Sequence, residues 1–279
     1  MSLENALILT FKDKLARDVL VIPSLPEVAM SVCDAVESDE MSLRDIGELI
    51  SRDAGMAARM IKLSNSALFG AQVKAITIQD AANRIGLKAI RTIALAMAME
   101  QLYVSQNEVV FELLENNWKR AMQVACSASA LLSLNRSASH IDMEVITLAG
   151  VVHNIGVLPV LFEMERLPKV SSDVDLMVKV AHSLKAEIGM RLLEKWDFDP
   201  SILCAVKELT VGVPPKSGPL NVADFICAAA IATGAVTFPG RDQASVLAAY
   251  IERGVLADES VLSSPEYLNL YRDMMNSMS

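Results

Sequence analysis

His153 stands in the stretch LAGVVHNIGVLPV and is followed by Asn154. The chain holds two further histidines, His140 and His182. A histidine followed by an aspartate at the end of a buried helix is a metal-binding arrangement. Imidazole and carboxylate together hold a divalent ion, and the ion turns water into hydroxide. Asparagine in the second position changes that chemistry, because an amide is neutral, ligates more weakly and cannot bridge two cations as an anion. With three histidines in 279 residues, a multi-histidine centre is nearly excluded by arithmetic.

Other chemistries find less support. No HExxH, GxGxxG, Walker loop or GxSxG occurs, so zincin, nucleotide-fold and serine-hydrolase readings lack an anchor. Cys33, Cys126, Cys204 and Cys227 are far apart and form no CxxC. They read as small buried hydrophobes, not as a zinc knuckle or a redox pair. The net charge is −9 and the basic residues are scattered. Such a surface offers a polyanion no basic patch, which argues against nucleic acid as a partner.

The elements that position these residues are helices. Apolar residues make up 52% of the chain and aromatics 5%, so the core is aliphatic, with 15 Met. Gly (12) and Pro (10) are too scarce for the many turns of an all-β protein of this size. Caps mark the helix starts. Ser24–Glu27, Ser42–Asp45 and Thr77–Asp80 have capping-box spacing, and Asp53 opens AGMAARMIKLSN. Gly86 is placed to supply a left-handed stop before LKAIRTIALAMAMEQLY. A polar break at 104–108 separates this block from further helical segments, among them MEVITLAGVVHNIG, SSDVDLMVKVAHSL, KAEIGMRLLEKWDF and LNVADFICAAAIATGAV. TVGVPPKSGP reads as a loop. The expectation is an all-α, two-lobed protein. The N-terminus lacks signal-peptide character, and the apolar runs fall short of the ~20 residues of a membrane helix. A cytoplasmic protein that does not engage a membrane is expected.

The chain resembles the HDOD domains, signalling modules related to the HD metal-dependent phosphohydrolases. The N-terminal signatures appear in order: SLPEVA, LISRDAGMAARMIKLSNSALFG and AANRIGLKAIR. NNWKRAMQVA, LAGVVHNIGVLPV, AEIGMRLLEKWDF and NVADFICAAA continue the match, which runs roughly from Val21 to Val236. The resemblance implies a helical N-terminal lobe over 1–105, an HD-like helical lobe over 106–240 and a C-terminal helical extension over 241–279. It implies a regulatory rather than catalytic role.

The same resemblance assigns a remnant of the HD site. An active HD enzyme uses a histidine on an early helix, a central His-Asp dyad and a distant Asp. Here Arg120 occupies the early histidine position, the dyad is His153–Asn154, and Lys185 replaces the histidine that would precede AEIG. Asp224 in NVADF is retained. Arg120 beside a divalent ion would cost ~8 kcal/mol at 4 Å and an effective dielectric of 20. No catalytic metal or other cofactor is expected, and Arg120 is expected to take the cation's place by pairing with Asp224.

Blander roles stand beside these. His153 can be a neutral core histidine, and Asn154 a helix-end residue in left-handed geometry. AMAME and DMMNSM read as core filler. Asn65, Ser66 and Phe69 in KLSNSALFG either end a helix that Phe69 and Leu68 pack back onto, or mark a ligand or partner surface at the lobe junction. The residues after Pro239 offer a docking surface. The leading expectation is a non-catalytic regulatory or scaffold protein of bacterial signal transduction, binding a protein partner or a small ligand. The alternative is an HD-type metal-dependent phosphohydrolase acting on a nucleotide or cyclic nucleotide.

Overall fold

The structure is a computed structural model that describes residues 2–278, apart from 22, 25–29, 32–41, 52, 67–68, 70–72 and 239. The described residues form twelve α-helices and two short 3-10 turns, and no strand occurs among them. The first five helices are α1 (Leu3–Ala16), α2 (Leu43–Ile50), α3 (Ala54–Ser64), α4 (Ile78–Glu100) and α5 (Glu108–Leu134). Then come α6 (Met143–Val152), α7 (Val157–Glu165), α8 (Val174–Lys195) and α9 (Pro200–Val211). The last are α10 (Val222–Ala232), α11 (Gln243–Glu252) and α12 (Pro265–Met278).

Cap chemistry sets the starts. Ser42 with Asp45 and Thr77 with Asp80 each exchange both bonds of a capping box, and the Asp53 side chain accepts from the Met56 amide. These occupy the first-turn amides that a helix leaves without internal partners. The expected box at Ser24–Glu27 and Cys33 lie outside the described residues.

Two boundaries differ from expectation. Gly86 is a kink inside α4, not its end, with φ 78° and ψ 168°. Only glycine takes that conformation without cost. The helix resumes at once because Ile90, Ala94 and Ala98 must be buried, and all three are. The segments SSDVDLMVKVAHSL and KAEIGMRLLEKWDF fuse into the single 22-residue helix α8, capped by the Asp173 side chain on the Leu176 amide. No breaker separates the two.

The buried apolar residues form one continuous cluster that runs from Phe11 to Met278. Helix α5 is its axis. It packs against α6, α10 and α12, and its face there is made of small residues such as Ala125, Cys126 and Ala128, all fully buried. Helix α4 packs on α6 and so joins the N-terminal helices to the rest. Helix α1 leaves its sequence neighbours and lies against α8, where Lys14 pairs with Glu163 of α7.

The C-terminal residues fold back onto the body. Helix α12 lies against α5 and α3, buries Met274 and Met278, and joins its Tyr267 hydroxyl to Ser127 Oγ at 2.7 Å. The stretch Met143–Glu165 is in fact long and apolar enough to cross a membrane by composition, yet it is mostly buried within the helical body. It is also split between α6 and α7 by a turn, and that turn carries His153 and Asn154.

Candidate functional site

The turn 153–156 is held from three sides. His153 is 4% exposed, and its Nδ1–H donates to the Gly150 carbonyl at 2.7 Å. Burial, reinforced by the nearby Lys185 charge, pulls its pKa down to about 4, so the ring is neutral at pH 7. With Nδ1 committed, Nε2 remains as an acceptor.

Asn154 uses both ends of its amide. Nδ2 donates to the Asn117 carbonyl at 3.1 Å, and Oδ1 accepts from the Tyr103 hydroxyl at 3.4 Å. Tyr103 follows α4, and its ring packs on Trp118 of α5 with centroids 5.2 Å apart. One buried side chain therefore ties the end of α4 to α5. A carboxylate could not do this, having no N–H for the Asn117 carbonyl. Asn154 does not adopt a left-handed conformation; among the described non-glycine residues only Asp18 and Asp197 have positive φ. The third support is Gly156, where an added Cβ would stand 1.9 Å from the Lys185 carbonyl oxygen. Glycine lets the turn press onto α8.

Beside this turn lies a pocket of about 460 Å³ between α5 and α8. Helix α5 contributes Leu113, Asn116, Asn117, Arg120 and Gln123, one helical face by spacing, and also Lys119. Helix α8 contributes Val178, Ala181, His182 and Lys185, again one face. His153, Asn154, Val157, Leu161 and Ala235 complete the wall, which contains no carboxylate. Lys119 is paired with Glu115 at 2.9 Å, but Arg120 and Lys185 have no ion pair among the described residues. Arg120 is exposed and Lys185 half-buried. Burial, then the charge of Arg120, lowers the Lys185 pKa to about 8. The same two causes, with Lys185 now also a neighbour, lower that of His182.

The pocket thus brings together His153, Asn154, Arg120 and Lys185, four of the five residues assigned to the HD remnant. It leaves out the fifth. Asp224 is 1% exposed and pairs with Arg253 at 3.3 Å, not with Arg120. Arg253 also donates to the carbonyls of Gly218 (2.7 Å) and Pro219 (2.6 Å). Asp224 closes a capping box with Asn221 in the first turn of α10. The pocket meets this part of the chain at Ala235, past the other end of the helix. Asp224 and Ala232, the last residue of that helix, lie about 12 Å apart along its axis at 1.5 Å per residue. Cap chemistry and Arg253 claim the carboxylate before Arg120 can reach it.

The donor set does not fit a divalent ion. Beside two cations without ion-pair partners among the described residues, it offers the imidazoles of His153 and His182, neutral amides and no carboxylate. Among the described residues no group of three His, Cys, Asp or Glu is placed to hold a metal.

The N-terminal motif is divided between roles. Asn65 caps α3, and its side chain exchanges two bonds with Ala75, at 2.7 and 2.8 Å. Arg84 donates to its Oδ1 at 2.7 Å. Ser66 is 2% exposed, so it cannot face a partner. Phe69 lies half-buried beside Ile93 of α4, Met143 and Thr147 of α6, and Met274 of α12. Leu68 lies outside the described residues.

Reading the sequence misses Arg253, Tyr103 and Asn117. Arg253 is 29 residues from its carboxylate and outside any motif. Asn117 was findable, three residues before Arg120 on the same helix face.

The HDOD domain family profile matches residues 22–210. The chain belongs to the HDOD family. Among solved structures, a Shewanella amazonensis protein named provisionally as a metal-dependent phosphohydrolase is 35% identical. The similarity covers 100% of both chains with a TM-score of 0.93. An HDOD domain protein of unknown function from Geobacter sulfurreducens is 16% identical over 97% of this chain and 88% of that one, with a TM-score of 0.55. It shares the fold. An uncharacterized Treponema pallidum protein is 25% identical over 198 residues. That match takes in 67% of this HDOD chain and 37% of the Treponema protein.

Proposed function

We propose that this HDOD protein is a non-catalytic regulatory or scaffold module of bacterial signal transduction, working in the cytoplasm, and that its degenerate HD site binds instead of hydrolysing. The observation that carries this reading is the wall of the pocket beside His153. Where an HD enzyme gathers carboxylates and histidines around a metal, this wall keeps His153 and His182 but holds Arg120, Lys185 and neutral amides and no carboxylate. A dication brought there meets two like charges and no counter-charge. The output runs through Asn154, whose amide joins the pocket to Tyr103 at the end of α4. A ligand or partner that shifts this turn shifts how the N-terminal helices sit on α5.

The name carried by the Shewanella relative supports the alternative, a metal-dependent phosphohydrolase. Elemental analysis of the purified protein, with phosphoester turnover measured in Mn²⁺, Mg²⁺ and Fe²⁺, separates the two. The regulatory reading expects well under one equivalent of metal and no turnover above buffer. A stoichiometric divalent ion with cleavage of the ester contradicts it.

A further inference from the structure

We infer that the pocket between α5 and α8 is a metal-free binding site for a small phosphomonoester, whose dianionic head sits between Arg120 and Lys185. This inference rests on the binding reading above and names the ligand class for the same site.

Three features lead to it. First, the charge is uncompensated. Every other charged lining group has a partner, since Lys119 is held by Glu115, whereas Arg120 and Lys185 have none and no carboxylate lines the wall. A half-buried Lys185 kept beside a second like charge is a standing cost that an anion removes. Second, the charge is focused. Arg120 from α5 and Lys185 from α8 line the same pocket, close enough for the Arg120 charge to act on Lys185. Two cations converging on one place match two negative charges on one group better than two carboxylates held apart by a carbon chain. A guanidinium fork beside an ammonium point charge is the pairing that a phosphoryl group accepts well.

Third, the remaining wall fits an organic body attached to that head. Val157, Leu161 and Val178 are apolar, while Asn116 and Gln123 offer neutral hydrogen bonds. A volume of about 460 Å³ exceeds what a bare inorganic ion fills and lies within the range of small-molecule sites. The neutral His153 adds an acceptor and no repulsion, so a hydroxyl or N–H of the ligand can be received at Nε2. The inference is of binding alone, with no bond made or broken.

The test is calorimetric titration of EDTA-treated protein with inorganic phosphate, phenyl phosphate, phenol and succinate. Phenyl phosphate should bind at least tenfold tighter than inorganic phosphate, with phenol and succinate weaker still. Arg120→Ala and Lys185→Met should each weaken phenyl phosphate at least tenfold, while Lys207→Ala, an exposed lysine outside the pocket, changes it less than twofold. Circular dichroism of the variants should match the parent, since both side chains lack internal partners. No binding at 20 mM, succinate binding as tightly as phenyl phosphate, or binding indifferent to both substitutions overturns the inference. The metal-free regulatory reading survives each of those results. It fails on a different one, binding that needs added Mn²⁺ and releases phenol.

Discussion

Asp224 and Arg120 show how a charge finds its partner. Both were candidates for one ion pair, yet Asp224 is claimed by its own helix start and by Arg253, which is 9% exposed against 71–79% for the arginines of surface pairs. Breaking a buried pair strands the other charge. Arg253→Ala should therefore cost 3–5 kcal/mol, roughly, in chemical denaturation. Arg120→Ala should stay within about 0.5 kcal/mol, as for an exposed side chain without partners. Equal losses in the two variants would mean that Asp224 leans on Arg120 after all. His153 gives a pH signature at the same scale. Its pKa falls from 6.5 to about 4 on folding, so the unfolded chain binds the proton more readily. The resulting stability is fully present above pH 6.5 and is lost as the pH falls through about 4. The loss is at most about 3 kcal/mol for this one group. His153→Gln should remove that part of the acid sensitivity; denaturation curves for parent and variant that stay parallel from pH 7 to pH 4 would refute it.

Helices and turns determine which of these residues meet. The positions 113, 116, 117, 120 and 123 on α5, and 178, 181, 182 and 185 on α8, repeat at helical spacing, so each set was legible in the sequence as a face. Their facing each other was not legible, because it depends on the turn 153–156 pressing onto α8 at Gly156. Gly156→Ala drives a methyl group into the Lys185 carbonyl, a backbone atom that cannot swing aside. The expected cost is about 3 kcal/mol, the upper range for overpacking, with loss of ligand binding at Lys185. A melting temperature within one degree of the parent would show that the turn has room. Caps were read correctly at Ser42, Asp53 and Thr77 because a cap is a local device of three or four residues. Gly86 was misjudged for the complementary reason. Whether a left-handed glycine ends a helix or kinks it depends on what the following residues must bury, and that is a tertiary question. The same holds for α1, which lies on α8 with Phe11 buried and Lys12 paired to Glu187, with nothing in its own sequence naming the partner.

At the scale of the whole molecule, the all-α architecture followed from composition and caps, and the HDOD signatures placed most of its helices. What they could not convey was closure: α12 seals α3 and α5 from the far end of the chain, and Arg253 reaches back from the residues after α11 to lock the loop before α10. The body is thereby held by one core, and the helices around the pocket beside His153 share it. Asn154 is a buried polar link from that pocket to the end of α4, and it is also the position at which an HD enzyme would carry its aspartate. The direct test of the central claim is a Mn²⁺ titration followed by the electron paramagnetic resonance signal of the free ion, on the parent and on Asn154→Asp. The account predicts that the free-ion signal is undiminished in both, because Arg120 and Lys185 repel the cation even after a carboxylate is supplied and Asp224 stays paired with Arg253. Stoichiometric loss of the signal in the parent, reversed by His153→Ala, would contradict it.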